Sequence, residues 1–273
     1  MQSDNAFERW MAGLEARHLA ELRFPEVARA LRALSSAYVE RRSKLAKGSA
    51  LDGAGKRAAF ALFYGPLHYL IVRHIAQSLP GLKTRPTPET ADVGRVFRPG
   101  TIVDLGCGTG AAGAACAAAC DPVDLIVGVD TRPWALTETA ATYREFGLKG
   151  RTEKGDLSST RRLDASRARS SSGRSLFVAA FALNELPAAS RDAAMQRLCV
   201  RADAGDAVLI VEPLAGFVAP WWPRWQREIE RSGGRADEWR FRAGLPPIVA
   251  KLDHAAGLDH NELTARSLFL LNS

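Results

Sequence analysis

The 273-residue chain reads as an α/β protein, a doubly wound, mostly parallel sheet with an N-terminal helical extension. Three observations lead there. Residues 101–110, Thr-Ile-Val-Asp-Leu-Gly-Cys-Gly-Thr-Gly, run an apolar strand into an acid, Asp104, and then into Gly106, Gly108 and Gly110 ahead of an Ala-rich helix. Beyond this turn, short apolar runs alternate with helical segments, the pattern of parallel strands with helices on both faces. Residues 1–80 read instead as helices, with hydrophobics at three- and four-residue spacing.

In the first helix Phe7, Trp10, Met11, Leu14, His18 and Leu22 share a face. Pro25 suits the first turn of a second helix. Its buried side is Val27, Leu31, Leu34, Tyr38 and Leu45, and Arg29, Arg32, Arg41, Arg42, Lys44 and Lys47 cover much of the rest. A third helix is expected over 56–79, kinked near Gly65-Pro66 because proline lacks an N–H and crowds the preceding turn. Gly53-Ala-Gly-Lys-Arg57 is no phosphate loop: Ala50 stands where the first Gly belongs, and Arg57 replaces the Ser or Thr that would hold magnesium. Prolines 80, 86, 88 and 99 mark the linker. The organisation is therefore a helical segment, 1–80, a linker, 81–100, and a sheet domain, 101–273.

Within the sheet domain, strands are expected at 101–105, 125–130, 151–154, 176–182 and 207–211. Helices are expected at 110–119, from Pro133 to Gly147, and at 188–204 before Gly205. After the fifth strand come a helix at 220–231, a short apolar stretch at 239–241, a helix at 247–256 and a strand at 263–271. A complete sheet of this kind has two strands after the fifth, and 239–241 is the candidate for the second. The stretch 158–174, rich in Ser and Arg, has little to bury and reads as a mobile loop, with RNA contact as a second reading.

Charge is uneven. Residues 1–98 hold 16 Lys and Arg against 9 Asp and Glu, whereas 99–273 holds 21 of each, so the net +7 sits ahead of the glycine turn. A polyanion would meet that segment, unless it is simply a solvated helical face. The most apolar stretch, 58–72, is broken by Gly65, Pro66 and His68 and falls short of the roughly 18–20 residues of a membrane span. Asp4 and Glu8, without an apolar run, give no secretory signal. Cys107, Cys116, Cys120 and Cys199 form no CxxC pair and read as buried thiols. A cytoplasmic location is expected.

A turn without side chains lets backbone N–H groups approach a ligand closely. A carboxylate at a strand end can bind an ammonium group. Together these suit an adenosine-bearing ligand with an amino-acid tail, such as S-adenosylmethionine. Ligands of doubly wound sheets lie at the carboxyl ends of the strands. Asp104 ends the first strand. Asp130 ends the second, where an acid can accept both ribose hydroxyl protons. Asp156 follows the third and can accept from an adenine amino group. Asn184-Glu-Leu-Pro187 follows the fourth, next to the place of a methyl acceptor, and Glu212-Pro213 follows the fifth.

The rival ligand is a dinucleotide, since Gly106-x-Gly108-x-x-Ala111 fits the loose fingerprint. Against it, Asp104 would repel a pyrophosphate, and Gly155-Asp-Leu157 has no part in that fingerprint. Asn184 lacks the Pro-Pro-aromatic sequel of enzymes that methylate planar amino groups. No Cys follows the fourth strand for attack on a pyrimidine. Glu185 reads as a base or orienting acceptor, or as a helix-start residue. Trp221, Trp222 and Trp225 either roof the acceptor pocket or pack in the core.

Val103-Asp-Leu-Gly-Cys-Gly-Thr-Gly110, Val127-Gly-Val-Asp130 and Gly155-Asp-Leu157 resemble the successive motifs of class I S-adenosylmethionine-dependent methyltransferases over residues 100–273. The resemblance implies a methionine-tail site at Asp104 and Gly106-Cys107-Gly108 with Gly110, a ribose contact at Asp130 and an adenine contact at Asp156. Leu157 and Ala182 join these as cofactor-binding candidates, and Asn184 and Glu185 are the catalytic candidates.

Leu34-Ser-Ser-Ala-Tyr38, the stretch 60–75 centred on Tyr64-Gly-Pro-Leu-His68, Ala182-Leu-Asn-Glu-Leu-Pro187 and Leu209-Ile-Val-Glu-Pro213 are similar to the methyltransferase-like family associated with the ribosomal small subunit in mitochondria and bacteria. Many members of that family hold an iron–sulfur cluster on C-terminal cysteines; no cysteine follows Cys199 here, so no metal cluster is expected. The expected partners are RNA or the ribosomal small subunit, met through the basic N-terminal helices, and no membrane. Three functions remain open: a methyltransferase acting on rRNA or a ribosome-associated target, a non-catalytic S-adenosylmethionine-binding assembly factor, and a small-molecule methyltransferase whose N-terminal helices form a lid.

Overall fold

A computed structural model describes residues 2–40, 51–79, 82, 97–120, 122–157, 173–216 and 219–272. Its strands are β1 Thr101–Leu105, β2 Leu125–Asp130, β3 Gly150–Lys154, β4 Ser175–Ala180, β5 Ala207–Glu212, β6 Arg235–Phe241 and β7 Leu263–Leu271. They form one sheet in the order β3-β2-β1-β4-β5-β7-β6. The first five strands pair in parallel, and β7 runs antiparallel between β5 and β6. The sheet is thus doubly wound and mostly parallel. The short stretch 239–241 is the end of the longer β6.

The helices are α1 Gln2–His18, α2 Phe24–Glu40, α3 Ala54–Ala59, α4 Gly65–Ser78, α5 Ala111–Ala119, α6 Pro133–Glu145, α7 Ala188–Asp203, α8 Trp222–Arg231 and α9 Pro247–Ala256. Alternation along the strands builds two cores. Ile102, Ile126, Leu176, Val178, Leu209 and Val211 share one core with Ala114 and Cys116 of α5 and Ile75 of α4. Val103, Val127, Phe177, Val208 and Ile210 turn the other way, onto Met195 and Leu198 of α7 and Trp222 and Trp225 of α8. Trp222 and Trp225 therefore pack in a core, and Trp221 lies half-buried against it.

The N-terminal helices belong to the first core. Trp10, Leu14, Val27 and Leu31 are fully buried in the same cluster as the strand residues. α4 lies along α5, whose Ala, Gly and Cys residues leave room for a close approach. Trp10 Nε1 donates to Thr142 Oγ1 at 2.9 Å, and Arg17 pairs with Glu138 at 3.3 Å, so α1 is tied to α6.

Two local differences from the sequence expectation matter later. The third helix is continued through a π-helical turn, Phe60–Tyr64, just ahead of Pro66. Pro66 has no N–H for the carbonyl four residues back, and the helix widens so that Gly65 N–H bonds Phe60 O, five residues away. The fourth strand stops at Ala180, because Phe181 adopts φ 58°.

Arg41, Arg42, Lys44, Leu45 and Lys47, most of the 81–100 linker and residues 158–172 of the Ser/Arg-rich stretch lie outside the described residues. Among the described residues no helix is long and apolar enough to cross a membrane, and no three His, Cys, Asp or Glu side chains group as metal ligands.

Candidate active site

The glycine turn between β1 and α5 is held almost entirely by its own surroundings. Gly106 N–H and Cys107 N–H both donate to Val129 O, at 2.8 and 3.0 Å, and Gly110 N–H closes on Cys107 O at 2.6 Å. One face of α6 straps the turn from above. Thr139 Oγ1 lies 3.1 Å from Gly108 O and from Cys107 Sγ, and Thr142 Oγ1 donates to Thr109 O at 2.6 Å. Gly106 is obligatory on two counts. Its φ is +68°, and a Cβ there would stand 2.6 Å from Ala182 Cβ and 3.3 Å from Leu157 Cδ1.

Asp104 departs from the expectation that its carboxylate grips a ligand's ammonium group. It is only 1% exposed. Its Oδ2 accepts from Gly113 N–H at 3.0 Å and from Tyr143 OH at 3.3 Å, which fastens the start of α5 to β1. Burial pushes its carboxyl up to about 7 against those two hydrogen bonds. Its position under α6 is set by Tyr143, far along the chain.

Asp130 sits at the lip. Its Oδ2 accepts from Gly108 N–H at 3.1 Å and its Oδ1 from Arg132 N–H at 2.9 Å, so the second strand end and the turn are locked in register. Asp156 and Leu157 follow β3; Asp156 is exposed, and Leu157 leans toward Gly106 with its carbonyl accepting from Arg197 at 3.4 Å. Asp104, Gly106, Cys107, Gly108, Gly110, Asp130, Asp156, Leu157 and Ala182 are thus brought to one edge of the sheet.

The far side of that edge hangs on Glu212, which the sequence places just past the fifth strand and the structure makes its last residue. It is fully buried. Its Oε1 accepts from the N–H groups of Leu183 (3.0 Å) and Asn184 (3.3 Å), and its Oε2 accepts from Asn184 Nδ2. The carboxylate thereby holds the 3-10 turn Leu183–Glu185 in place. Burial pushes Glu212 up to about 8, with the two backbone bonds opposing and the Arg266 charge directly across on β7 a smaller opposing effect. Asn184 Oδ1 is buried with no hydrogen-bond partner. Glu185 pairs with Arg132 at 3.1 Å, linking the ends of β4 and β2; burial raises its carboxyl and Arg132 lowers it.

Sequence reasoning missed a rim of rings. Phe60 and Tyr64 of the π turn, His68, Trp134 and Phe181 collect at the same edge. Gly65 lets this rim settle on the turn, since a Cβ there would be 3.1 Å from Thr109 Oγ1. The signals in the sequence are Pro66 after an aromatic run and Trp134 at a helix start.

No protein-family model matches the chain, and no curated protein does. Solved structures do resemble it. A SAM-dependent methyltransferase from Anabaena variabilis shares 11% identity over 76% of this chain and 94% of its own, with a TM-score of 0.44. An O-methyltransferase family protein from Burkholderia thailandensis shares 14% over 96% and 70%, at 0.45. Precorrin-8w decarboxylase of Methanobacterium thermoautotrophicum shares 15% over 75% and 90%, at 0.44. The structures that resemble this chain thus include SAM-dependent methyltransferases, at a level of likeness that carries no activity across.

Proposed function

We propose that the chain is a class I S-adenosylmethionine-dependent methyltransferase acting on RNA or a ribosome-associated target. One observation carries the donor assignment. A glycine turn, Asp130 and Asp156 stand at the ends of three adjacent parallel strands, in a sheet whose seventh strand runs antiparallel between the fifth and sixth. The dinucleotide fold has the order 3-2-1-4-5-6 instead. That difference replaces the charge of Asp104 as the argument against a dinucleotide.

The residues fit the donor. Only glycine can stand at 106, where the turn closes on Ala182 and Leu157. The turn and Ala182 would take the methionine portion, Asp130 the ribose hydroxyls, and Asp156 with Leu157 the adenine. When bound, S-adenosylmethionine supplies an electrophilic methyl group. The chain's own part is mostly positioning, because in-line displacement needs little else. Asn184 Oδ1, buried and unpartnered, offers the methyl acceptor a hydrogen-bond acceptor. Glu185, raised by burial, is suited to take an acceptor proton.

Calorimetry with S-adenosylmethionine and NAD in parallel tests the donor. Heat with the first alone is expected, and heat with NAD alone would overturn the reading. Labelled methyl transfer into a lysate separated into RNA, protein and small molecules then tests the target. The RNA part rests on the positive charge of residues 1–98. Neutralising Arg41, Arg42, Lys44 and Lys47 is expected to weaken RNA binding and flatten its salt dependence.

A further inference from the structure

The rim of rings is not among the residues assigned above to the donor. Phe60 is its hub, with ring centroids 5.9 Å from Tyr64, 6.0 Å from His68 and 6.2 Å from Trp134, the last two edge-on. His68 stacks on Phe181 at 4.0 Å and 16°. The hub touches the glycine turn, since the Phe60 ring is 3.5 Å from the place of a Gly108 Cβ. All five rings are partly exposed.

Two backbone irregularities hold three of these rings. The π turn carries Phe60 and Tyr64. Phe181 is the one non-glycine residue at positive φ among the described residues, a conformation that disfavours a bulky side chain. Neither feature serves to bury its aromatic side chain fully, and both recur at functional sites. Burial pushes the His68 imidazole down to about 3, so the rim carries no histidine charge at neutral pH.

Resting on the methyltransferase reading, the geometry points to a methyl-acceptor subsite for a planar heteroaromatic ring, held against Phe60 and Trp134 beside Gly108. The N-terminal helices then supply the face that recognises the acceptor. Free heteroaromatic compounds and the bases of single-stranded RNA both offer such a ring, and stacking on aromatic side chains discriminates little among bases.

The test uses the full chain, with and without saturating S-adenosylhomocysteine. Quinoline, cyclohexanol and a mixed-sequence 12-nucleotide single-stranded RNA serve as probes, read by ligand-observed NMR and calorimetry. Quinoline is expected to bind and cyclohexanol not. Phe60→Leu and Trp134→Leu, which keep apolar bulk but remove the ring face, should each weaken quinoline by roughly tenfold with little change in melting temperature. Loss of RNA affinity in the same variants assigns the ring to a base; loss for quinoline alone assigns it to a free compound. Should Phe60→Leu fail to fold, Trp134→Leu decides. Equal binding of cyclohexanol, or no effect of either folded variant on quinoline and RNA, overturns the subsite. If S-adenosylhomocysteine fails to bind while quinoline still depends on Phe60, the ring site stands and the donor assignment fails.

Discussion

On the β1–β2 side of the carboxyl edge, the Gly106, Cys107, Gly108 and Gly113 N–H groups meet Val129 O, Asp130 and Asp104, and two threonine hydroxyls cap the turn's carbonyls. On the β4–β5 side, Phe181 sits at φ 58°, Asn184 Oδ1 is buried without a partner, and the 3-10 turn depends on one fully buried carboxylate. A satisfied, rigid half suits a ligand that never varies. A strained, incompletely bonded half persists where something else completes it. Asn184 and Glu185, the catalytic candidates, lie in that second half.

The largest expected effect breaks the rigid half. Gly106→Ala puts a Cβ 2.6 Å from Ala182 Cβ at φ +68°. Strain and overpacking together should remove about 2–4 kcal/mol of stability, read by urea unfolding, and abolish the calorimetric signal with S-adenosylmethionine. Retained donor binding would mean that the turn is not the donor's seat. Thr142→Val comes next. It deletes the strap to Thr109 O and leaves the buried Trp10 Nε1 without its acceptor. A loss of about 1–3 kcal/mol is expected, with donor affinity lowered because the turn loosens.

A pH series separates the halves, because each contains a buried carboxylate whose titration is pushed well up. In the folded chain Asp104 is raised to about 7 from 3.8, and Glu212 to about 8 from 4.5. Between each pair of values the folded state holds a proton that the unfolded chain has released, so stability falls as pH rises through the interval. Asp104→Asn should remove the part of the slope between about 3.8 and 7, and Glu212→Gln the part between about 4.5 and 8. Urea unfolding from pH 4 to 9 reads both. Asp104→Asn also decides between bracing and gripping: less than tenfold change in donor affinity is expected of a brace.

Much of the rigid half was open to sequence reading, because strand, acid and glycines are local. The role of Asp104 was not, since it depends on Tyr143 reaching it from α6. Thr139, Thr142 and Tyr143 share one helix face, yet nothing local says that this face straps a turn. Phe181 reads as strand because a phenylalanine carries no sign of positive φ. Pro66 announces a disturbed helix, but whether it kinks or widens into a π turn is decided by packing on Thr109 and α5. The chain also reads as a helical segment plus a sheet domain, whereas Trp10, Leu31 and Ile102 share one core. Amphipathic spacing reveals that a face is buried, not what buries it.

The smallest effect falls on the Arg132–Glu185 ion pair, which joins the halves. Arg132 and Glu185 are each about 30% exposed, so breaking their contact should change stability by no more than about 0.2–1 kcal/mol. Its informative readout is kinetic. Arg132 favours the charged form of Glu185, and burial opposes it. Arg132→Leu therefore raises the Glu185 carboxyl further. If Glu185 takes a proton from the methyl acceptor, the acidic limb of the rate profile must move to higher pH in this variant, and Glu185→Gln must lower turnover more than donor affinity. A limb that stays in place would assign Glu185 to holding the two strand ends together and leave proton transfer to solvent.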